Sequence, residues 1–130
     1  MGRQCIAILS AGFGLLSLSL PSFAHHGTSI VYDLTNSITI SGTVTDFRFV
    51  NPHVLIHVEV TAENGEVVGW LGGMASHTTL TRNEDWDRDT LKPGDQVSVS
   101  GAPARGGAPS VWVQQVILNG EPLIRGDYSG

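Results

Sequence analysis

The chain has 130 residues, with twelve Asp and Glu against seven Lys and Arg and a formal net charge of −5 when histidine is neutral. That length allows one domain at most. An acidic chain without a basic run gives phosphate binding no electrostatic support, so nucleic acid is excluded from the expected partners.

The first residues read as a leader rather than as part of that domain. Arg3 precedes an apolar run from Ile6 to Leu20, and Pro21-Ser22-Phe23-Ala24 supplies small residues at Ser22 and Ala24. This is the layout of a secretory signal peptide cleaved after Ala24. The apolar run is shorter than the ~20 residues a bilayer span needs, so no membrane span is expected after processing, and the mature protein is expected to be periplasmic or secreted. The single cysteine, Cys5, lies inside the leader; the processed chain would have no thiol and no disulfide. Removing Arg3 from the seven cations leaves six against twelve acids, a formal −6. A domain over residues 25–120 is expected to hold together by burial alone, followed by a tail, 121–130, that offers few anchors.

After His25-His26-Gly27, the stretch Ser29 to Asp33 reads as a short strand. Ile38, Ile40 and Val44 then alternate with Thr39, Ser41 and Thr43, a strong strand pattern. The phase slips before Phe47 and Phe49, and one extra residue around Thr45-Asp46 would restore it, as a β-bulge does; Gly42 offers a second bending point. Asn51-Pro52 breaks the run. A second strand carries Val54, Ile56, Val58 and Val60 on one face and His53, Leu55, His57 and Glu59 on the other. Asn64-Gly65 is a turn dipeptide, Glu66 to Leu71 makes a third strand, and Gly72-Gly73 is read as its stop. Ser76 can cap a short helix through about Arg82, with Leu80 inward. Glu84 to Asp89 is too polar for a core and reads as a loop, with Trp86 tucked back. Leu91-Lys92-Pro93-Gly94-Asp95 is a turn into a fourth strand with Val97 and Val99 inward. Ala102 to Pro109 reads as a loop, and Val111 to Leu118 is a fifth strand ending at Asn119-Gly120.

Three strands, a short helix and two strands make an all-β chain laid out as a small five-stranded Greek-key barrel of the OB type, with the helix between strands 3 and 4. A plain antiparallel sandwich is the alternative. His25-His26-Gly27, Asn51-Pro52-His53 and Leu91-Lys92-Pro93-Gly94-Asp95, together with the leader, resemble a family of small exported bacterial proteins of unknown function. The resemblance spans His25 to Leu118. It implies export and a small β-barrel, and it implies no activity.

All five histidines (His25, His26, His53, His57 and His77) lie beyond the leader. Cleavage after Ala24 would make His25 the terminal residue, whose α-amine and imidazole Nδ1 can chelate one ion. A second imidazole would complete a T-shaped site suited to Cu(II), which heads the divalent affinity order. Gly27 would let the chain turn away sharply. On an extended strand His53 and His57 are ~13 Å apart, too far to share an ion with bonds of ~2 Å. The expected metal ligands are therefore His25, His26 and His53, with His53 preferred to His57 because it sits at the Asn-Pro turn. A strand at Ser29–Asp33 folding back on the first strand would instead favour His57. The bland alternatives are an exposed terminal His-His and a turn histidine. His77 reads as solvent-facing, or else as an anion contact near a helix N-terminus; Met74 reads as packing, or else as a soft Cu(I) ligand. Trp70 and Trp112 read as core or barrel-face residues, although exposed aromatics on strands two and three of an OB-type barrel would instead stack bases or sugars.

No serine has a nucleophile-elbow context and no Gly-rich phosphate loop follows a strand; catalytic residues are not assigned. Three readings remain. The chain is an exported copper-binding module, or a metal-free module for a small polar ligand, oligosaccharide or envelope protein, or, least supported, a redox enzyme built on the copper site.

Overall fold

The computed structural model describes residues 24–129, with side chains described from Gly27 onward. The leader, Cys5 and the cleavage position fall outside or at the margin of the described residues, as do the side chains of His25 and His26. No helix among the described residues is long and apolar enough to cross a membrane.

The long first strand, β1, runs Ile38–Arg48. Its register against β2 (Leu55–Thr61) passes from Val44↔Val58 to Asp46↔His57, so Thr45 is the extra residue and the predicted phase slip is a β-bulge. The first half of β1, Ile38 to Thr43, pairs instead with β4 (Gln96–Pro103). One bent strand thus serves both sides of the barrel. The turn before β4 is tied to the same bend, because the Val44 amide donates to the Asp95 carbonyl at 2.9 Å and the Gly94 amide to the Val44 carbonyl at 2.8 Å.

Strand β3 runs Val67–Gly73 and pairs along its length with β2. The expected stop at Gly72-Gly73 is wrong: these glycines carry the strand on into a parallel pairing with β5 (Ser110–Leu118), Gly72 opposite Val111 and Gly73 opposite Trp112. The reason is steric. A Cβ on Gly72 would stand 2.6 Å from Ile56 Cγ2 and 2.7 Å from Val113 Cγ2, so only glycine lets β3 approach the core at the seam. Helix α2 (His77–Glu84) is capped by Ser76, whose side chain accepts from the Thr79 amide, and it buries Leu80.

The sheet order is β3-β2-β1-β4-β5, closed by the β3–β5 pairing. Five strands closed on themselves, with a helix between the third and fourth, are the OB-type barrel expected from the sequence. Its interior holds Ile40, Val44, Val54, Ile56, Val58, Val97, Val99, Val111, Val113 and Val116. The Asn119-Gly120 turn, with both residues at positive φ, leads into an additional short strand, β6 (Glu121–Pro122).

Two local expectations are corrected. The stretch Ser29 to Asp33 is not a strand; helix α1 spans Ala24–Val31, and only Tyr32 makes a bridge, to Ala104. Ile30 and Val31 both stay exposed, so a strand here would have had no inward face to fill. Gly27 lies within this helix and makes no sharp turn.

The stretch after Gly120 is also better anchored than its composition implies. Ile124 is buried. Glu84, which reads in sequence as part of a solvated acidic loop, is the one buried charged side chain among the described residues, and it receives the tail: the Arg125 and Gly126 amides and the Tyr128 hydroxyl each donate to its carboxylate at 2.8 Å. Trp86 does tuck back, as expected, with its indole N–H donating to the Leu123 carbonyl at 3.0 Å.

Candidate ligand-binding end of the barrel

His53 follows the Asn51-Pro52 turn, one residue before fully buried Val54. The Val54 amide donates to the Ala75 carbonyl and the Met74 amide to the Val54 carbonyl, which locks this turn to the segment between β3 and α2. The imidazole is then fixed twice. Its Nδ1 is 3.2 Å from the Met74 carbonyl oxygen, and its ring stands edge-on to Trp112 at a centroid distance of 5.2 Å and an interplanar angle of 89°. A carbonyl oxygen only accepts, so Nδ1 must carry the proton; in the neutral ring Nε2 keeps its lone pair. Metal-binding histidines are commonly oriented by this kind of backbone contact.

Trp112 is buried, with its indole N–H donating to the Tyr128 carbonyl at 2.8 Å. On its other flank stands Tyr32, the first residue after α1, with ring centroids 6.0 Å apart and its hydroxyl 3.0 Å from Ser110 Oγ. The root of the N-terminal helix and His53 therefore share one aromatic neighbour. Beyond Tyr32, the Asp33 carboxylate accepts from the Thr35 hydroxyl at 2.7 Å and from Asn36 at 2.6 Å. Those bonds, led by that of Thr35, hold its pKa below the ordinary carboxylate value.

The other histidines are elsewhere. His57 lies opposite Asp46 on β1 and Leu71 on β3. The Asp46 carboxyl is held down chiefly by the hydrogen bond from Arg48. His77, expected to face solvent, is half-buried because its ring leans on Phe49 at a centroid distance of 5.6 Å. Met74 is buried and packs in the core, as expected. Among the described residues no three His, Cys, Asp or Glu side chains converge as a metal site. Of the expected ligands His25, His26 and His53, only His53 has a described side chain, and it belongs to no group of three potential ligands among the described residues.

Sequence reasoning missed Tyr32 and the Met74 carbonyl. Nothing local marks either of them. Tyr32 is placed by a partner far along the chain, and a backbone carbonyl has no side-chain signature.

The sequence matches the family of unknown function DUF6152 over residues 11–111. The chain belongs to that family. No match is found among the curated proteins. The fold of this DUF6152 protein is similar to the mitochondrial single-stranded DNA-binding protein Rim1 from S. cerevisiae, at 12% identity and a TM-score of 0.49, covering 65% of this chain and 93% of that one. It is similar to the N-terminal domain of PriB from Thermoanaerobacter tencongensis, at 16% identity and a TM-score of 0.47, with 67% and 99% covered. A small single-stranded DNA-binding protein from Streptomyces coelicolor gives 20% identity and a TM-score of 0.44, with 70% and 96% covered.

The exclusion of nucleic acid from the expected partners does not stand, because charge alone carried it. Net charge is a property of the whole chain. A small barrel can hold a single strand by stacking its bases on aromatic faces, and an overall acidic balance does not decide what one face of the DUF6152 protein contacts.

Proposed function

We propose that this protein is an exported, periplasmic metal-binding module that takes Cu(II) through the terminal histidine of the processed chain and through His53. The observation that carries the reading is the His53 ring itself: the contact of Nδ1 with the Met74 carbonyl selects the tautomer in which the neutral ring offers its lone pair at Nε2. The docking of Tyr32 against Trp112, the same indole that His53 touches, supports a role for the N-terminal segment at this end. In this reading processing after Ala24 frees the α-amine of His25, which chelates together with its own imidazole, while His53 supplies a further nitrogen. An all-nitrogen donor set suits Cu(II).

The test is a Cu(II) titration of the form beginning at His25, of the same form extended by one N-terminal residue, and of His53→Ala. Both altered forms are expected to bind at least about 10-fold more weakly. Equal affinity in all three would remove the reading.

A second reading rests on a different surface. The outer face of β1 and β4 forms a groove of about 670 Å³ lined by Ser41, Thr43, Glu59, Gln96, Ser98 and Asn119. Its hydroxyls and amide are held in pairs across the strands, Ser41 to Ser98 at 2.7 Å and Gln96 to Thr43 at 2.7 Å. Such neutral donors and acceptors suit a polyhydroxylated ligand, and this would be a metal-free binding module for an oligosaccharide. Titrating the labelled protein with a neutral oligosaccharide, and separately with a short oligothymidylate, is expected to shift the amide resonances of residues 41–43 and 96–98 with the sugar. Shifts confined to other residues would count against the groove.

A further inference from the structure

The segment that follows the N-terminal histidines is bound to the loop after β4 more thoroughly than a free arm would be. The Asp33 amide donates to the Pro103 carbonyl at 2.9 Å and the Arg105 amide to the Val31 carbonyl at 2.9 Å, framing the antiparallel Tyr32–Ala104 bridge. The Arg105 side chain adds a third tie, its Nε donating to the Ser29 carbonyl at 2.9 Å. That carbonyl belongs to the last turn of α1, where carbonyls lack intrahelical partners and a cation is favoured by the helix dipole. The guanidinium also stands 3.9 Å from Asp33. Tyr32 fastens the same segment from the barrel side through Ser110 and Trp112.

These ties contribute little to global stability. The Arg105 side chain is half-exposed, where ion pairs contribute little, and Ile30 and Val31 stay exposed beside it. What the ties do is fix where the arm is rooted. We infer that Arg105 and Tyr32 are positioning residues for the metal site: they strap the arm bearing His25 and His26 to the end of the barrel that presents His53. This deepens the copper reading and rests on it. A strapped arm meets its partner at a higher effective concentration than a free one, because the flexible length between the ligands is shorter and effective concentration falls steeply with tether length.

Neither residue touches the metal in this scheme, so their loss should weaken affinity without abolishing it. The experiment compares Cu(II) affinity of the chain beginning at His25 with that of Arg105→Ala, Tyr32→Phe and the double variant Arg105→Ala/Tyr32→Ala, using quenching of tryptophan emission alongside calorimetry. Thermal unfolding checks that each variant folds. The double variant is expected to bind about 10-fold or more weakly, to show less quenching at saturation, and to lose protection from amide exchange over residues 28–33. Tyr32→Phe, which keeps the ring against Trp112 and loses only the hydroxyl bond, is expected to fall between it and the parent. If the parent binds Cu(II) and the double variant binds equally well, the strap is wrong and the copper reading stands. If the parent itself does not bind, both are overturned.

Discussion

Gly42→Ala is expected to lower the stability of the barrel by about 3 kcal/mol or more, seen as a fall in Tm of roughly 12 °C or more for a domain of this size. Gly42 pairs with Val97 on β4, and the next residue, Thr43, pairs with both β4 and β2 as the strand passes from one to the other. A Cβ there would fall onto the backbone carbonyl of Glu59 and stand 3.0 Å from Val58 Cγ1. A side-chain collision can be relieved by a rotamer change. One with a carbonyl engaged in the sheet needs the strand itself to move. Gly69→Ala is the control, because a Cβ at that position on β3 meets nothing within 4 Å; its stability should stay within about 0.5 kcal/mol of the parent. Thermal unfolding followed by circular dichroism decides the matter, and a Gly42→Ala melt close to that of Gly69→Ala would show that the crossing is looser than described.

The second large effect is expected at Glu84. Glu84→Ala leaves the Arg125 and Gly126 amides and the Tyr128 hydroxyl without their acceptor, which costs about 3 kcal/mol and should free the tail from α2. Burial by itself would raise the carboxyl pKa. The donors from Arg125, Tyr128 and Gly126 outweigh it and hold the pKa below the ordinary value of 4.5. A carboxyl depressed in the folded state adds stability above its unfolded pKa and loses it as pH falls through the folded value. Glu84→Gln, which cannot ionise, should therefore be less stable than the parent near neutral pH, and the gap should close in acid, below about pH 4.5. Urea unfolding of the two proteins across that range measures the gap directly; a difference independent of pH would mean that the charge of Glu84 contributes nothing.

Both positions show how far the sequence could be read. Gly42 is legible as a bending point and the bulge is legible to the pair Thr45-Asp46, because alternation has a fixed period and a slip in phase can be counted. The direction in which Gly42 is needed, toward the Glu59 carbonyl, depends on β2 and is invisible locally. Glu84 was misread for a related reason. Its neighbours Asp85, Asp87 and Asp89 are exposed, and nothing in a run of acids marks the one whose donors arrive from residues 125–128. Gly72-Gly73 was misread as a stop because glycine is a frequent terminator; its use as the seam of a closed barrel appears only when β5 is in place.

The histidines divide in the same way. Strand spacing separated His53 from His57, and the structure gives them different surroundings, Trp112 and Met74 for one and Asp46 and Leu71 for the other. The tautomer of His53 could not come from spacing, since its determinant is a backbone carbonyl on another segment.

By itself the sequence determined much of what depends on residues near one another in the chain, though not helix α1: the inward faces of the strands, the turns at Asn64-Gly65 and Asn119-Gly120, the Ser76 cap, and from their order the five-stranded barrel. Only the tertiary structure decided what depends on distant partners: the closure at Gly72, the burial of Glu84, the docking of Tyr32 and Arg105, and the orientation of His53. Side-chain period and turn chemistry are set by the local backbone. Buried hydrogen bonds and close approaches are set by whatever the completed barrel brings alongside.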